Sequence, residues 1–301
     1  MHGTHNAQED PRNEKVKIFI NGDFYDRHEA KISVFDSAYL VGDGVWEGIR
    51  LHHGKLVFWK DHSSRLWQSA KVVGINLPFS KAELKEWVMQ TVEANKMHDQ
   101  VHIRIMVSRG IKKTPSQDPR LTIGKANVVI IAEHKAASLE TKEKGISLFT
   151  STFRRGRPDY LDPRLNCHSK LHEVQALMQA LEAGADEALM LDPHGFVSTC
   201  NATNFFIVVE DEVWTSTGQY CMNGITRGKV IELCKEKGVS CHEKNFSLFD
   251  VYGAEEAFVT GSFGGLTPVH TIDGKSIGDG SFKQTKKLSE WYKEKIQHEI
   301  D

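Results

Sequence analysis

The run EALMLDPHGFVSTCNATNFFIVVEDEVWTS (187–216) constrains the fold of this chain more than any other stretch. Its apolar, β-rich segments are broken by a DPHG turn and an EDE turn, which reads as a meander of short adjacent strands. The same logic recurs near the start. VKIFI-NG-DFYD (16–26) places Asn-Gly between β-rich runs, the strongest short-range hairpin signal, and EGIRL-HHG-KLVFW (47–59) reads as a second hairpin. Helices are interleaved with these strands. DHSSRLWQSAKVVGI (61–75) is helical, and the next helix opens at Ser80, where S-K-A-E forms a capping box before the stripe Leu84, Val88, Val92.

VHIRIMVSRG (101–110) and ANVVIIAEH (126–134) read as strands, and the long loop between them, IKKTPSQDPRLTIGK, is expected to form a functional flap. ISLFTS (146–151) is a strand, ITRGKVIELCKEKGV (225–239) a helix ending at Gly238, and EEAFVTGSFGGLTPV (255–269) a strand that breaks into a glycine-rich turn. Composition shifts at HKAASLETKEKG (134–145). The division expected is a disordered tail over 1–15, a small N-terminal domain over 16–134, a linker over 135–145 and a larger domain over 146–301. The class is mixed α/β, of the α+β type with mostly antiparallel hairpins.

The 301 residues suffice for a sizeable core, and 40% apolar with 26% charged residues is ordinary for a globular protein. A net charge of −2 with interspersed signs argues against nucleic acid or an anionic membrane as partner. The longest apolar runs are too short to span a bilayer, and 1–15 lacks the apolar centre of a signal peptide. Five cysteines (167, 200, 221, 234 and 241), an odd number without a CxxC pair, favour reduced thiols and a cytoplasmic location.

Three constellations could carry chemistry. Gly224 precedes a helix start, so the N–H groups of Ile225 and Thr226 would form an anion site, with the Thr226 hydroxyl beside them; an ordinary capped helix fits the same residues. VTGSFGG (259–265) could form an anion-binding nest after a strand, though such turns are common without function. In LNCHSKLHEVQALMQALEAG (165–184), His168 and His172 would share a helical face if the helix already included residue 168. A third ligand is lacking, Glu173 lies off that face, and no metal site is expected. By spacing alone Lys170 is more often a solvated helix-start lysine than a covalent catalyst.

Taken together, the chain resembles the fold-type IV pyridoxal-phosphate enzymes, among them the branched-chain aminotransferases. The resemblance rests on FINGDF (19–24), FDSAYLVGDGVWEGIR (35–50), HSSRL (62–66), SRG (108–110), YLDPRLN (160–166), NGITR (223–227) and TGSFGGLTPV (260–269), and runs from about residue 16 to 290. It implies a small N-terminal α/β domain, a larger C-terminal pseudo-barrel domain, pyridoxal 5′-phosphate as cofactor, amino acid and 2-oxo acid substrates, and a homodimer whose partner completes the site. By the same resemblance Arg65 grips the cofactor phosphate together with Ile225, Thr226 and Ser262. Arg104 lies near the substrate carboxylate, and Trp46 takes the place of the pocket aromatic in the family's VYE or VFE motif.

Two positions depart from the family pattern. Asn166 stands where the family has its Schiff-base lysine, in a pattern like DPRIKSLNYL, and Thr199 stands where it has the glutamate that pairs with the pyridine nitrogen. Lys170 occupies the place of the tyrosine in NYL, four residues on. One helical turn advances about 5.4 Å, close to the reach of a lysine side chain, so Lys170 is the candidate for a relocated catalytic amine. The expectation is an aminotransferase favouring hydrophobic or branched-chain amino acids. The alternatives are a lyase or racemase of the same fold and an inactive cofactor-binding homologue. Within the flap, KKTPSQ lacks the arginine and histidine with which D-amino-acid enzymes bind carboxylate.

Overall fold

A computed structural model describes residue 4 and residues 9–299. The first sheet contains β1 (Lys17–Ile20), β2 (Asp23–Asp26), β3 (Gly44–His52), β4 (Lys55–Leu56) and β5 (Val101–Ser108). Next in sequence come β6 (Ile111–Lys112) and β7 (Thr122–Ile123), which form a two-stranded sheet of their own in the expected flap, and then β8 (Asn127–His134). β8 returns to the first sheet, whose order is β2-β1-β8-β5-β3-β4. Asn21 and Gly22 both take positive φ (55° and 112°), so the Asn-Gly turn closes the first hairpin in the Ile20↔Asp23 register.

Helix α1 (Ser37–Val41) precedes β3, and α2 (Trp59–Val72) and α3 (Lys81–Ala94) separate β4 from β5. Ser80 and Glu83 form the expected capping box at the start of α3. Leu84, Val88 and Val92 of α3 join Phe19, Ile103, Ile105 and Ile130 in a core on one face of this sheet.

The second sheet holds β9 (Ile146–Thr150), β10 (Glu187–Leu191), β11 (Val197–Cys200), β12 (Asn204–Val209), β13 (Glu212–Thr215), β14 (Cys241–Glu243), β15 (Glu256–Gly261), β16 (Gly265–Ile272) and β17 (Lys275–Ser276). Most pairings are antiparallel, but β9–β10, β9–β16 and β13–β14 are parallel. β12 reads as an unbroken apolar run because both of its faces are buried. Phe205 and Ile207 enter one core, while Phe206 and Val208 enter another beneath α6 (Ile225–Glu236) and α8 (Lys283–Glu299).

Two expected boundaries shift. The 135–145 stretch is not a bare linker: Leu139–Lys144 form helix α4, capped by Ser138, and Lys142 donates from Nζ to the Leu266 carbonyl and to Thr267 Oγ1. Within the 1–15 tail, Pro11–Lys15 form a 3-10 helix capped by Asp10, and Thr4 donates to Glu187 Oε1. Residues 1–3 and 5–8 of that tail lie outside the described residues. Helix α5 (Leu171–Glu182) begins only after Lys170, so His168 and His172 do not share a helical face. Helix α7 (Leu248–Tyr252) lies between β14 and β15.

Candidate active site

A cavity of about 340 Å³ opens between the two sheets. It brings together the residues singled out by sequence: Trp46, Arg65 and Arg104 from the first half, and Lys170, Thr199, Ile225, Thr226 and Ser262 from the second, with Asn166 beside them.

Strand alternation explains the first group. Residues 46 and 48 of β3 share a face with residues 102 and 104 of β5, since Gly48 is the register partner of Arg104. The Arg104 guanidinium carbon sits 3.7 Å from the centre of the Trp46 ring, a cation–π contact. No carboxylate pairs with Arg104 among the described residues, and burial lowers its pKa. A half-buried guanidinium at a cavity wall, with no carboxylate partner among the described residues, is a candidate receptor for an anionic ligand.

On the opposite face of β3, fully buried Glu47 holds α2 in place. Its carboxylate accepts two hydrogen bonds from Arg65, Nε to Oε1 at 2.7 Å and Nη2 to Oε2 at 2.8 Å. His62 Nδ1 donates to Oε2 at 2.7 Å. Burial opposes the Glu47 charge, but Arg65 and His62 outweigh it and hold the carboxyl below its usual range. Burial likewise pushes the His62 pKa down, against the hydrogen bond and charge of Glu47, which raise it. The fork of Arg65 is thereby fixed, and its remaining nitrogen Nη1 lies 3.3 Å from the Asn223 carbonyl at the edge of the second sheet's contribution.

Across the cavity α6 starts at Ile225 with Gly224 as N-cap and no side chain capping it, so the first amides face the cavity unclaimed. Glycine is required at that cap, because a Cβ on Gly224 would collide with Asn204 Oδ1. The Thr226 hydroxyl is 3.2 Å from the buried Tyr292 hydroxyl. Ser262 sits in the turn between β15 and β16.

The segment before α5 is stitched to the start of β3. Asn166 Nδ2 donates to the Trp46 carbonyl at 2.6 Å, Trp46 Nε1 donates to the Cys167 carbonyl at 3.0 Å, and His168 N donates to the Gly44 carbonyl at 2.9 Å. Asn166 Oδ1 is buried with no hydrogen-bond partner among the described residues, as is Thr260 Oγ1. Thr199 donates from its hydroxyl to the Thr203 carbonyl at 2.7 Å and accepts from Asn204 Nδ2 at 3.3 Å.

Lys170 is the only lysine lining this cavity among the described residues. Its Nζ lies 3.4 Å from Glu173 Oε1, which also accepts from Arg155 Nη1 at 2.8 Å. His172 Nδ1 is 2.9 Å from Glu173 Oε2. Burial works against the Glu173 charge, yet His172, Lys170 and Arg155 together hold its carboxyl down to about 2. Sequence does not single out Glu173 and Arg155 as cavity residues. They come from separate segments of the chain, and no local spacing signals the pair.

The profile of the family described as amino-transferase class IV matches residues 44–272. The chain is 40% identical over 281 residues to a putative branched-chain-amino-acid aminotransferase of Methanocaldococcus jannaschii, covering 93% of this chain and 96% of that protein. It is 37% identical over 284 residues to branched-chain-amino-acid aminotransferase-like protein 2 of Arabidopsis thaliana. That match covers 94% of this chain but 51% of the plant protein, so the chain spans about half the length of this curated relative. Among solved structures, a T.th. branched-chain amino acid aminotransferase complexed with N-(5′-phosphopyridoxyl)-L-glutamate superposes with a TM-score of 0.86 at 30% identity, covering 94% of both chains.

Proposed function

This chain belongs to the class IV aminotransferases, and from that premise we propose that it exchanges an amino group between an amino acid and a 2-oxo acid, with pyridoxal 5′-phosphate seated between its two sheets. The cavity's donor set fits that cofactor. The unclaimed amides of Ile225 and Thr226, the N–H groups of Arg65 left over from its fork on Glu47 and the hydroxyl of Ser262 are the donors a phosphate dianion needs at one end. Orphaned buried oxygens on Asn166 and Thr260 mark polar positions that a bound group would satisfy. When bound, pyridoxal 5′-phosphate supplies an aldehyde that accepts the amino group and a ring that takes up the electrons released at the substrate carbon.

The chain's own residues divide the remaining work. Lys170 Nζ carries the proton taken from and returned to the reacting carbons, and Glu173 with Arg155 positions that amine from behind. Asn166 holds the usual lysine position with an amide that has no nucleophilic nitrogen and orients Trp46 through its carbonyl. Thr199, whose hydroxyl donates to the Thr203 carbonyl, would offer the pyridine end a hydroxyl oxygen rather than a carboxylate and so would support a proton there less strongly. Arg104, stacked on Trp46, takes a substrate carboxylate. Val174, Leu177 and Met222 line the cavity and favour a hydrophobic or branched side chain on the amino acid.

The assembly is a homodimer in this reading. Leu171, Val174, Met178 and Leu181 form an exposed stripe on α5 beside the cavity, 72%, 49%, 53% and 41% exposed, which a second copy would cover. A cytoplasmic setting accords with five free cysteines, four of them buried. No helix among the described residues is long and apolar enough to cross a membrane.

The single observation that carries the function is Lys170, the only lysine of the cavity lining among the described residues, facing a space with a phosphate cup across it. The test is a half-reaction. The cofactor-loaded protein is mixed with L- and D-forms of leucine, isoleucine, valine and alanine without any 2-oxo acid, and the released products are measured. Stoichiometric 2-oxo acid from hydrophobic amino acids, lost in Lys170→Ala and kept in Asn166→Ala, is the expected result. Ammonia release or stereoinversion would replace the transfer reading by a lyase or racemase, and cofactor retention without turnover would replace it by an inactive homologue.

A further inference from the structure

Far from the phosphate cup, the outer end of the first sheet gathers a second set of ligating side chains. β3 ends at His52, His53 and Gly54 make the turn, and β4 begins at Lys55 in the His52↔Lys55 register. In an extended strand, neighbouring side chains point to opposite faces. Here His53 adopts a positive φ of 47° and Gly54 one of 76°, which breaks the alternation. The His53 ring is brought to 4.1 Å from the His52 ring, centroid to centroid.

The loop before β5 supplies the rest. Asp99 Oδ1 accepts from His52 Nδ1 at 2.9 Å and from the His53 amide at 3.2 Å, so the turn and the loop already meet on this carboxylate. One ligand atom each from His52, His53 and Asp99 lie within 4.8 Å of one another. His98 stands next to the cluster. Its ring centroid is 6.4 Å from that of His53, and its Cε1 and Nδ1 sit 3.1 Å from where a Cβ on Gly54 would stand. A side chain at residue 54 would displace His98 from this position.

We propose that His52, His53 and Asp99 form a binding site for a borderline divalent cation of the zinc class, with His98 or water as the fourth ligand. Two imidazoles and a carboxylate suit Zn²⁺, Co²⁺ or Ni²⁺ and do not suit the all-oxygen shells of Mg²⁺ or Ca²⁺. Zn–N and Zn–O bonds near 2.1 Å in a tetrahedron put ligand atoms about 3.4 Å apart. The present set, within 4.8 Å, must therefore contract by at most about 1.4 Å, a movement the exposed His53 ring can supply by rotation. The consequence is mechanical. The ion would clamp the β3–β4 turn to the loop that leads into β5, and these two strands carry Trp46 and Arg104 to the cavity wall.

The experiment is calorimetric titration of ZnCl₂ into the chelator-treated, cofactor-loaded protein, repeated with His53→Ala, Asp99→Asn and Cys241→Ser. The expected result is one saturable site per chain with micromolar or tighter affinity, weakened at least tenfold in His53→Ala and in Asp99→Asn and unchanged in Cys241→Ser. Co²⁺ added in place of Zn²⁺ should give a visible absorption band that disappears in His53→Ala. Absence of a saturable site, affinity unaltered in the His53 and Asp99 variants, or binding abolished by Cys241→Ser would each overturn the proposal. A fold check by circular dichroism keeps a misfolded variant from imitating a loss of binding, and His52→Gln provides a second variant of the same site.

Discussion

Replacing Glu47 by glutamine tests the claim that one buried carboxylate holds Arg65, the proposed phosphate ligand, in place. Glu47 is 1% exposed at its side chain and Arg65 16%, so the pair is shielded from solvent. Two unit charges about 4 Å apart at an effective dielectric near 20 attract by about 4 kcal/mol. Removing one member of a buried pair typically costs about 3–5 kcal/mol, because the other charge is left uncompensated. Glutamine keeps the shape and one acceptor, which places the expected loss at the lower end, about 3 kcal/mol. The assay is urea unfolding of the cofactor-free protein followed by tryptophan fluorescence, since Trp59, Trp67 and Trp87 all pack against the first core. A double-mutant cycle with Arg65→Met should return a coupling of about 2–3 kcal/mol. The pH dependence has a definite sign. The folded-state carboxyl of Glu47 lies below its usual range, so its contribution is complete above about pH 5 and fades as the pH falls through the folded value. Glu47→Gln should flatten that acid limb. A coupling under about 0.5 kcal/mol, the level of an exposed ion pair, would refute the reasoning.

Other perturbations follow from the same geometry. Glu173→Gln removes a carboxyl held at about 2 against a usual 4.5, a difference worth about 3 kcal/mol at neutral pH that wild type loses only as the pH drops from near 4.5 toward 2; acid-unfolding curves of the two proteins should differ in that window. Gly224→Ala drives a Cβ into Asn204 Oδ1 at the start of α6, the proposed phosphate cup. It should lower cofactor affinity by about tenfold or more in a fluorescence titration. Ser80→Ala deletes the capping box of α3, remote from the cavity, and should cost about 1 kcal/mol in urea unfolding with turnover unchanged.

The legible part of the sequence is local. The Asn-Gly hairpin, the Ser80 capping box and the helix after Gly224 follow from short-range chemistry, and each stands where that chemistry puts it. Period-2 alternation in β3 and β5 carries Trp46 and Arg104 to a common face. Long-range pairs leave no such trace. Glu47 and Arg65 meet across a strand and a helix, and Arg155 reaches Glu173 from a loop, with no periodicity to announce either contact. The stretch around residue 140 reads as a linker because it is charged. Its helix is short, and its docking shows only in three dimensions, through the bonds of Lys142 to Leu266 and Thr267 and the burial of Thr141. The His52-His53 turn reads as an ordinary hairpin, since nothing in the letters HHG reveals that both rings turn to the same side as Asp99.

The central claim is that Lys170 supplies the amine absent at Asn166. It is tested most directly by reducing the cofactor-loaded protein with borohydride, digesting it and locating the added pyridoxyl mass by tandem mass spectrometry. The expected result is a single modified peptide with the mass on Lys170, present in Asn166→Ala and gone in Lys170→Ala. A mass found on any other lysine, or a cofactor that dissociates unreduced from the wild-type chain, would contradict it.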